Sequence, residues 1–217
     1  MAALAGASPM PQDRTQGFEA MSKLSTELGK RQFDVSITRN ELGECKPVTV
    51  IFARGTTELG NVGSITGPPF FNALDVLLGA DKVGVQGVDY PATIAGYLEG
   101  GDKGGAQTLA DLTNQAASQC PDTQIVLSGY SQGAQVVHLG EAEISPETAS
   151  RVAAVKVLFG DPDKGQPLPN IDGSKVKTFC FKADLICDML PVVDTYHLSY
   201  SVDAVPAAQF VQGLVNV

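Results

Sequence analysis

The sequence predicts a three-layer α/β/α fold around a central, mostly parallel sheet of about five strands. Apolar, β-branched runs typical of buried strands alternate along the chain with segments of helical spacing. A Gly-x-Ser-x-Gly pattern at residues 129–133 joins one such run directly to a helical segment. The chain has 217 residues, enough for one domain with a substantial core. These observations favour one sheet with helices on both faces.

From Pro47 onward, strands and helices follow one another in a regular order. The predicted strands are 48–53, 83–88, a run that enters the Gly-x-Ser-x-Gly pattern from Ile125, 152–159 and 175–181. The predicted helices are 70–78, 105–119, a segment that begins at Gln132, and 206–217, with a loop over 90–97. Ligands of such sheets bind beyond the carboxyl ends of the strands, so we expect the loops after 53, 130 and 181 to meet.

The stretch from Ile125 to Ala134 carries the candidate nucleophile. A strand pattern leads into Gly129-Tyr-Ser131-Gln-Gly133, and apolar residues at helical spacing follow. A sharp strand-to-helix turn lifts the serine side chain clear of the backbone and holds it in a sparsely populated conformation. Glycines two positions to either side fit because a Cβ there would meet neighbouring elements. Ser131 is therefore the candidate nucleophile, and the alternative is a tight connection that happens to contain serine.

Charge and hydropathy exclude several classes of partner. The formal net charge is −9 at pH 7, so nucleic acid or an anionic membrane surface would repel the protein. No apolar run reaches transmembrane length. Only two histidines are present, and no cysteine lies in a Cys-x-x-Cys pair, which argues against a zinc site.

A serine nucleophile needs a positioned base, and the sequence offers two histidines. His138 follows Ser131 by seven residues in the same predicted helix, about 10 Å along the axis, which is too far to reach it. We interpret His138 as a packing or surface histidine. Elimination selects His197, near the end of the chain, as the base.

The base needs an orienting carboxylate, expected between the serine and the histidine in chain order. Six aspartates qualify by order, namely Asp161, Asp163, Asp172, Asp184, Asp188 and Asp194. Asp184 is favoured because it follows the second strand after the serine and lies between two cysteines whose disulfide would hold it rigid. Asp161, after the preceding strand, is the alternative, although Asp-Pro-Asp is also typical of a turn.

A tetrahedral oxyanion needs hydrogen-bond donors aimed at it. The backbone N–H of Gln132, directly after the serine and at a helix start, is one. Thr56, in the loop after the first strand, offers an N–H and a hydroxyl together, and by spacing alone Thr57 would serve as well. We interpret Arg54 of the same loop as half of a structural ion pair and not as a substrate contact.

The cysteines bear on the cellular compartment. The chain has four of them, Cys45, Cys120, Cys180 and Cys187. Three disulfide pairings are possible, and four reduced core thiols are the alternative. Two disulfides require an oxidising compartment, so this interpretation predicts a secreted, extracellular protein.

Residues 1–44 differ in composition from the rest of the chain. They are richer in charge and in Gln, Ser and Thr, and Phe18, Met21, Leu24 and Leu28 recur at helical steps. We interpret them as an N-terminal extension to a domain over 45–217. The extension is either a solvated leader with one weak amphipathic helix or a lid over the substrate cleft.

Four motifs resemble those of the fungal cutinases, serine esterases of the α/β-hydrolase fold. They are Ala53-Arg-Gly-Thr-Thr-Glu58 with Gly60-Asn61, the stretch 129–134, Cys180-Phe-Lys-Ala-Asp184-Leu-Ile-Cys187 and His197-Leu-Ser-Tyr200. The resemblance runs from about Cys45 to the C-terminus, so it does not cover the extension. The family usually has serine at the position of Thr56.

This resemblance implies a site and an activity. It implies Ser131, Asp184 and His197 as the catalytic triad. It implies Thr56 and Gln132 as the oxyanion hole, and it pairs the first cysteine with the second and the third with the fourth. Such enzymes cleave cutin, the plant cuticle polymer, other polyesters and short-to-medium acyl esters through an acyl-enzyme, without a metal or organic cofactor. We further expect a monomer.

Apolar residues near the predicted triad would flank an acyl chain. They are Ile94 on one loop and Val192, Val193 and Leu198 on the other. Singly, each is typical of ordinary packing, but as a rim they would form a shallow groove able to dock on an insoluble polyester. The alternatives are an acetylxylan esterase, a lipase lidded by residues 1–44, or a binding protein with a vestigial site.

Overall fold

The computed structural model of the protein describes residues 33–151, 155–166 and 173–217. Within these segments, five strands form one all-parallel sheet in the order β2-β1-β3-β4-β5. The strands are β1 (Val48–Ala53), β2 (Val83–Gly87), β3 (Gln124–Tyr130), β4 (Val155–Phe159) and β5 (Val176–Phe179). The predicted fold class is confirmed.

Helices cover both faces of this sheet. They are α1 (Gly67–Leu78), α2 (Ile94–Leu98), α3 (Lys103–Gln119), α4 (Gln132–Glu143), α5 (Pro146–Arg151) and α6 (Ala204–Gln212). Phe52 belongs to a buried cluster with residues of α1 and α6, whereas its neighbour Ile51 belongs to a second cluster with residues of α3 and α4. The side chains of successive strand residues therefore pack into two cores, one on each face of the sheet. Among the described helices, none has the length and apolar character that a membrane span requires.

The strand order creates a crevice between β1 and β3. The chain passes from β1 to β2 on one side and then returns to place β3 on the other side of β1. Ala53 at the end of β1 pairs with Gly129 near the end of β3, so both strands end at the same level. Ligands of open α/β sheets bind where the strand order reverses in this way. The loops after β1 and β3 are those that the sequence singled out.

Most element boundaries differ from the predictions by a few residues, for local reasons. The first helix begins at Gly67 instead of residue 70, because prolines are tolerated in a first turn that needs no N–H partners. The helix predicted over 105–119 begins at Lys103, because the Asp102 side chain caps it by accepting the N–H of Gly105. The last helix ends at Gln212 and not at 217.

The prediction of a loop throughout 90–97 is wrong, because α2 occupies its second half. The Thr93 side chain accepts the N–H of Gly96 and caps this one-turn helix. Five residues are too few for the apolar periodicity from which longer helices are recognised.

The compact unit of the structure begins at Asp34. The last part of the predicted extension therefore belongs to it. Asn40 forms an isolated β-bridge with Gln86 of β2, and Leu42 is buried. The carbonyl of Ile37 accepts the N–H groups of Asn61 and of the residue after it. The helix predicted within 18–28 lies outside the described residues, as do 152–154 of the predicted fourth strand.

Two disulfides cross-link the chain in the pairing that the resemblance implied. Cys45–Cys120 joins the segment before β1 to the end of α3. Cys180–Cys187 closes the loop after β5.

We expect the two disulfides to contribute unequally to stability. They close sequence separations of 75 and 7 residues, for which the chain-entropy model gives roughly 4.5 and 2.5 kcal/mol. A Cys45→Ala/Cys120→Ala variant should therefore lose more unfolding free energy in urea titrations than a Cys180→Ala/Cys187→Ala variant. The reverse order would contradict this expectation.

Candidate active site

Strand β3 ends in a strained turn that places Ser131 at the start of α4. Ser131 has φ 56° and ψ −122°, a combination rarely adopted by residues with a Cβ. A Cβ at Gly129 would lie 2.3 Å from the carbonyl oxygen of Gly133, and one at Gly133 would lie 2.0 Å from that of Ala53. The Ser131 N–H donates to the carbonyl of Phe159 at 2.9 Å. The strands on both sides of β3 thus hold the turn.

His197 lies between Ser131 and Asp184. Its Nε2 is 3.0 Å from Ser131 Oγ, and its Nδ1 is 2.8 Å from Asp184 Oδ2. All three residues are at most 5% exposed. Since a carboxylate accepts hydrogen bonds, Nδ1 carries the ring hydrogen and Nε2 accepts from the serine hydroxyl. In this tautomer the imidazole can take the hydroxyl proton.

Asp184 is surrounded by donors. Its Oδ1 accepts the N–H of Ile186 at 3.0 Å, and its Oδ2 accepts the Tyr200 phenol at 2.6 Å in addition to the imidazole. The Tyr200 oxygen accepts the N–H of Phe181 at 3.0 Å, which leaves the phenol hydrogen for Asp184. Because Asp184 is 1% exposed, these donors replace water around its carboxylate.

The imidazole of His197 is fixed by packing and by the backbone. The Tyr130 ring stacks on it with centroids 5.1 Å apart, and the Tyr130 phenol donates to the His197 carbonyl at 2.8 Å. Asp194 Oδ1 accepts the His197 N–H at 3.0 Å. Gly160 has φ 55°, and a Cβ there would approach Cε1 of the imidazole to 2.8 Å. A side chain at position 160 would therefore push the ring out of line.

The loop after β1 brings Thr56 into the same groove as Ser131. Glu58 shapes this loop by accepting backbone N–H groups from Gly55, Ser64 and Ile65 at 2.8–3.0 Å. Such a set of charge-assisted bonds fixes the path of the chain around Thr56.

The two threonines of this loop differ in which donors are free. The Thr57 N–H donates to the carbonyl of Ala92, and its hydroxyl donates to the carbonyl of Thr56. The Thr56 hydroxyl oxygen accepts the side-chain amide of Gln132 at 3.0 Å. Thr56 is thus the better candidate for an oxyanion donor, because both Thr57 donors are already used.

Within the described segments, Arg54 does not form the ion pair that the sequence suggested. Its Nε donates to the carbonyl of Glu58 at 2.7 Å and its Nη2 to that of Tyr90 at 2.6 Å. The guanidinium also lies 4.9 Å from the centroid of the Tyr90 ring. The residue is structural, as expected, but it binds backbone carbonyls and an aromatic face because the Glu58 carboxylate is occupied by backbone N–H groups.

The alternative carboxylate, Asp161, belongs to a separate pair. Its Oδ2 lies 3.1 Å from His138 Nε2, and its Oδ1 accepts the N–H of Asp163 at 2.8 Å. Asp161 is fully buried there. His138 is therefore a packing histidine in α4. Asp172, another aspartate that qualified by order, lies outside the described residues.

A groove of about 400 Å³ opens beside Ser131. Three of the predicted rim residues, Ile94, Val193 and Leu198, line it. Val192 is 49% exposed on the same loop as Val193 but is not part of the lining. The sequence did not single out several other apolar or aromatic lining residues, which are Ile65, Tyr97, Leu98, Tyr130, Ile186 and Pro191.

Two further side chains of the site had no predicted role, Tyr200 and the side chain of Gln132. A signal existed for Tyr200, which lies three residues after His197 in the 3-10 helix His197–Asp203. Side chains at i and i+3 eclipse in such a helix and can reach the same neighbour. No local signal existed for Gln132, because its partner Thr56 is 76 positions away.

The strained serine at the crevice of a parallel sheet, in line with a buried imidazole and carboxylate, places the chain in the class of α/β-hydrolase serine hydrolases. A family model described as Cutinase matches residues 44–215. The chain is 44% identical over 172 residues to the cutinase of Botryotinia fuckeliana, covering 79% of this chain and 85% of the relative. It is 46% identical over 173 residues to cutinase pbc1 of Pyrenopeziza brassicae, covering 80% and 85%. The chain therefore belongs to the cutinase family and is a serine carboxylic ester hydrolase.

Solved structures agree with this assignment. Trichoderma reesei cutinase in complex with a C11Y4 phosphonate inhibitor matches with a TM-score of 0.79 and 38% identity, covering 94% of this chain and 87% of that one. The catalytic core domain of acetyl xylan esterase from Trichoderma reesei matches with a TM-score of 0.62 and 22% identity, covering 79% and 100%. At that identity the second likeness shows a shared fold alone.

We expect the protein to lose stability in alkaline solution through three tyrosines. Burial raises the pKa of Tyr90, Tyr130 and Tyr200, and for Tyr200 the hydrogen bond to Asp184 raises the pKa further. Each phenol keeps its proton in the folded protein but loses it in the unfolded chain above the ordinary pKa of about 10. The stability contributed by each is therefore complete below about pH 10 and falls above it, by about 1.4 kcal/mol per pH unit.

Urea titrations between about pH 9 and 11 test this expectation. Tyr200→Phe removes one of the three groups, so its unfolding free energy should fall less steeply with pH than that of the wild type. Parallel slopes for the two proteins would contradict the assignment.

Proposed function

We propose that Ser131, His197 and Asp184 hydrolyse carboxylic esters as a catalytic triad. The observation that carries the proposal is the row of hydrogen bonds at 3.0 and 2.8 Å from the hydroxyl through the imidazole to the carboxylate. Nε2 takes the hydroxyl proton as Oγ attacks the ester carbonyl carbon. Asp184 holds the Nδ1–H and stabilises the imidazolium that forms.

The carbonyl oxygen becomes negatively charged in this step, and donors must already face it. The backbone N–H of Gln132 at the start of α4 is one, and Thr56 supplies the other. The oxyanion then collapses, the C–O bond to the alcohol breaks, and the leaving alkoxide takes the proton from His197. Water attacks the acyl-enzyme with the same base, which releases the carboxylic acid and restores the Ser131 hydroxyl.

The surface around the groove favours apolar substrates. Ile94, Leu98 and Val193 are 63%, 65% and 60% exposed, although they line the groove. Exposed apolar side chains next to a reactive serine suit an acyl chain or the surface of a solid polyester. The name of the relatives, cutinase, points the same way. We therefore propose cutin, other polyesters and short-to-medium acyl esters as substrates, and a protein that acts as a monomer at the polymer surface.

Secretion is part of the proposal. Both disulfides would be reduced in a cytosol but persist outside the cell. An insoluble polymer is also accessible only to an enzyme outside the cell.

Replacement of the proposed nucleophile tests the mechanism. Ser131→Ala should lose hydrolysis of p-nitrophenyl butyrate by roughly 10⁴- to 10⁶-fold, because no covalent acyl-enzyme can form. It should also lose labelling by a fluorophosphonate probe. Ser199→Ala is the matched control, since this hydroxyl donates to the carbonyl of Thr195 outside the triad. Near-normal turnover or labelling of the Ser131 variant would refute the mechanism.

Variants of the rim test the substrate class. Val193→Ser/Leu198→Ser should lose about tenfold in rate on a polyester film, since apolar contact with the polymer is weakened, with little change on p-nitrophenyl acetate. Val205→Ser, which changes an exposed apolar residue of α6 outside the groove lining, is the control. Equal losses of rate on both substrates would contradict the proposed contact between the rim and a polymer surface. A wild-type preference for acetylated xylan over tributyrin would favour acetylxylan esterase activity instead.

A further inference from the structure

The side chain of Gln132 is fully buried next to the reactive serine and joins two separate loops. Its Nε2 lies 3.0 Å from the hydroxyl oxygen of Thr56 and 2.7 Å from the carbonyl oxygen of Thr93. Thr56 belongs to the loop after β1, and Thr93 caps α2. One amide group therefore contacts both walls of the crevice.

The chemistry of these partners fixes the direction of each hydrogen bond. The Thr93 carbonyl can only accept, so the atom facing it must be the NH2 group of Gln132 and not its oxygen. The second hydrogen of the same NH2 group then points to Thr56. The Thr56 hydroxyl is consequently the acceptor in that bond, and its own hydrogen is left for another partner.

We propose that the Gln132 side chain is a positioning residue that orients the Thr56 hydroxyl toward the oxyanion. This inference rests on the proposed function, in which Thr56 and the backbone N–H of Gln132 bind that oxyanion. The branched Cβ of threonine already limits rotation about χ1. The bond from Gln132 limits the remaining rotation, that of the hydroxyl hydrogen. A donor oriented in advance needs no reorganisation when charge develops.

The other end of the amide supports a role for the NH2 group. The Gln132 Oε1 is buried and has no hydrogen-bond partner within the described segments. It packs against Gly96, where a Cβ would approach it to 2.9 Å. An unsatisfied buried oxygen lowers stability, so a residue that served packing alone would be better apolar. The NH2 group is what a methionine or leucine of similar size could not supply.

Two substitutions at position 132 separate orientation from packing, since both keep the backbone N–H. Gln132→Met keeps the volume but frees the Thr56 hydroxyl, so kcat on p-nitrophenyl butyrate should fall about 5- to 30-fold with KM unchanged. Gln132→Glu offers Thr56 an acceptor, which turns the hydroxyl hydrogen away from the oxyanion. Its kcat should fall further, toward the roughly 10²-fold loss seen when an oxyanion donor is removed.

A double-mutant cycle with Thr56→Val decides whether Gln132 acts through the hydroxyl. Valine has no hydroxyl to orient, so Gln132→Met should cause no further loss of kcat in that background. Gln135→Met is the matched control, because Gln135 is a buried glutamine one turn further along α4 whose Oε1 also has no hydrogen-bond partner among the described residues. Its kcat should equal that of the wild type. Titration of active sites with a fluorophosphonate probe corrects each kcat for the folded fraction.

Two results would overturn the inference. One is a wild-type kcat in Gln132→Met, and the other is an equal loss in the wild-type and Thr56→Val backgrounds, which would mean that Gln132 acts through Thr93 and α2. Failure of the proposed function is distinguishable from both, because it would appear as retained activity in Ser131→Ala.

Discussion

The close approach of Gly133 to the carbonyl of Ala53 is the constraint on which the site depends. A Cβ at Gly133 would lie 2.0 Å from that oxygen, so only glycine lets α4 start directly beside the end of β1. This contact brings the loop after β1 against the turn that carries Ser131. Thr56 and Gln132 can then share one hydrogen bond although they come from different elements. The strain at Ser131 persists because β1 and β4 both hold the turn.

The other half of the site is built at the ends of β4 and β5. Gly160, after β4, leaves room for the imidazole of His197, and the disulfide after β5 encloses Asp184. Tyr200 connects the 3-10 helix that carries His197 to the loop after β5, because it binds both the Asp184 carboxylate and the backbone N–H of Phe181. The alignment of imidazole and carboxylate thus depends on packing and backbone hydrogen bonds, which are the second layer of support that precise geometry requires.

The sequence predicted what short-range patterns encode and missed what only the fold creates. Strand and helix alternation predicted the sheet, and the glycine spacing around position 131 predicted the strained turn. The partners of Arg54 could not be predicted, because they are backbone carbonyls of Glu58 and Tyr90, which carry no side-chain signature in the sequence. The Gln132–Thr56 contact spans 76 positions and has no local signature. Helix α2 was missed because one capped turn gives too little periodicity.

The way in which α2 is attached has a consequence for redesign of the enzyme. The Gln132 side chain donates a hydrogen bond to the main-chain carbonyl of Thr93, the capping residue of this helix, and no side chain of α2 takes part in that bond. The exposed positions 94 and 98 can therefore be varied in a library while the hydrogen bond between Gln132 and Thr93 stays intact. Substitutions in this short helix would change the apolar wall of the groove while leaving the hydrogen bonds around Ser131 unchanged.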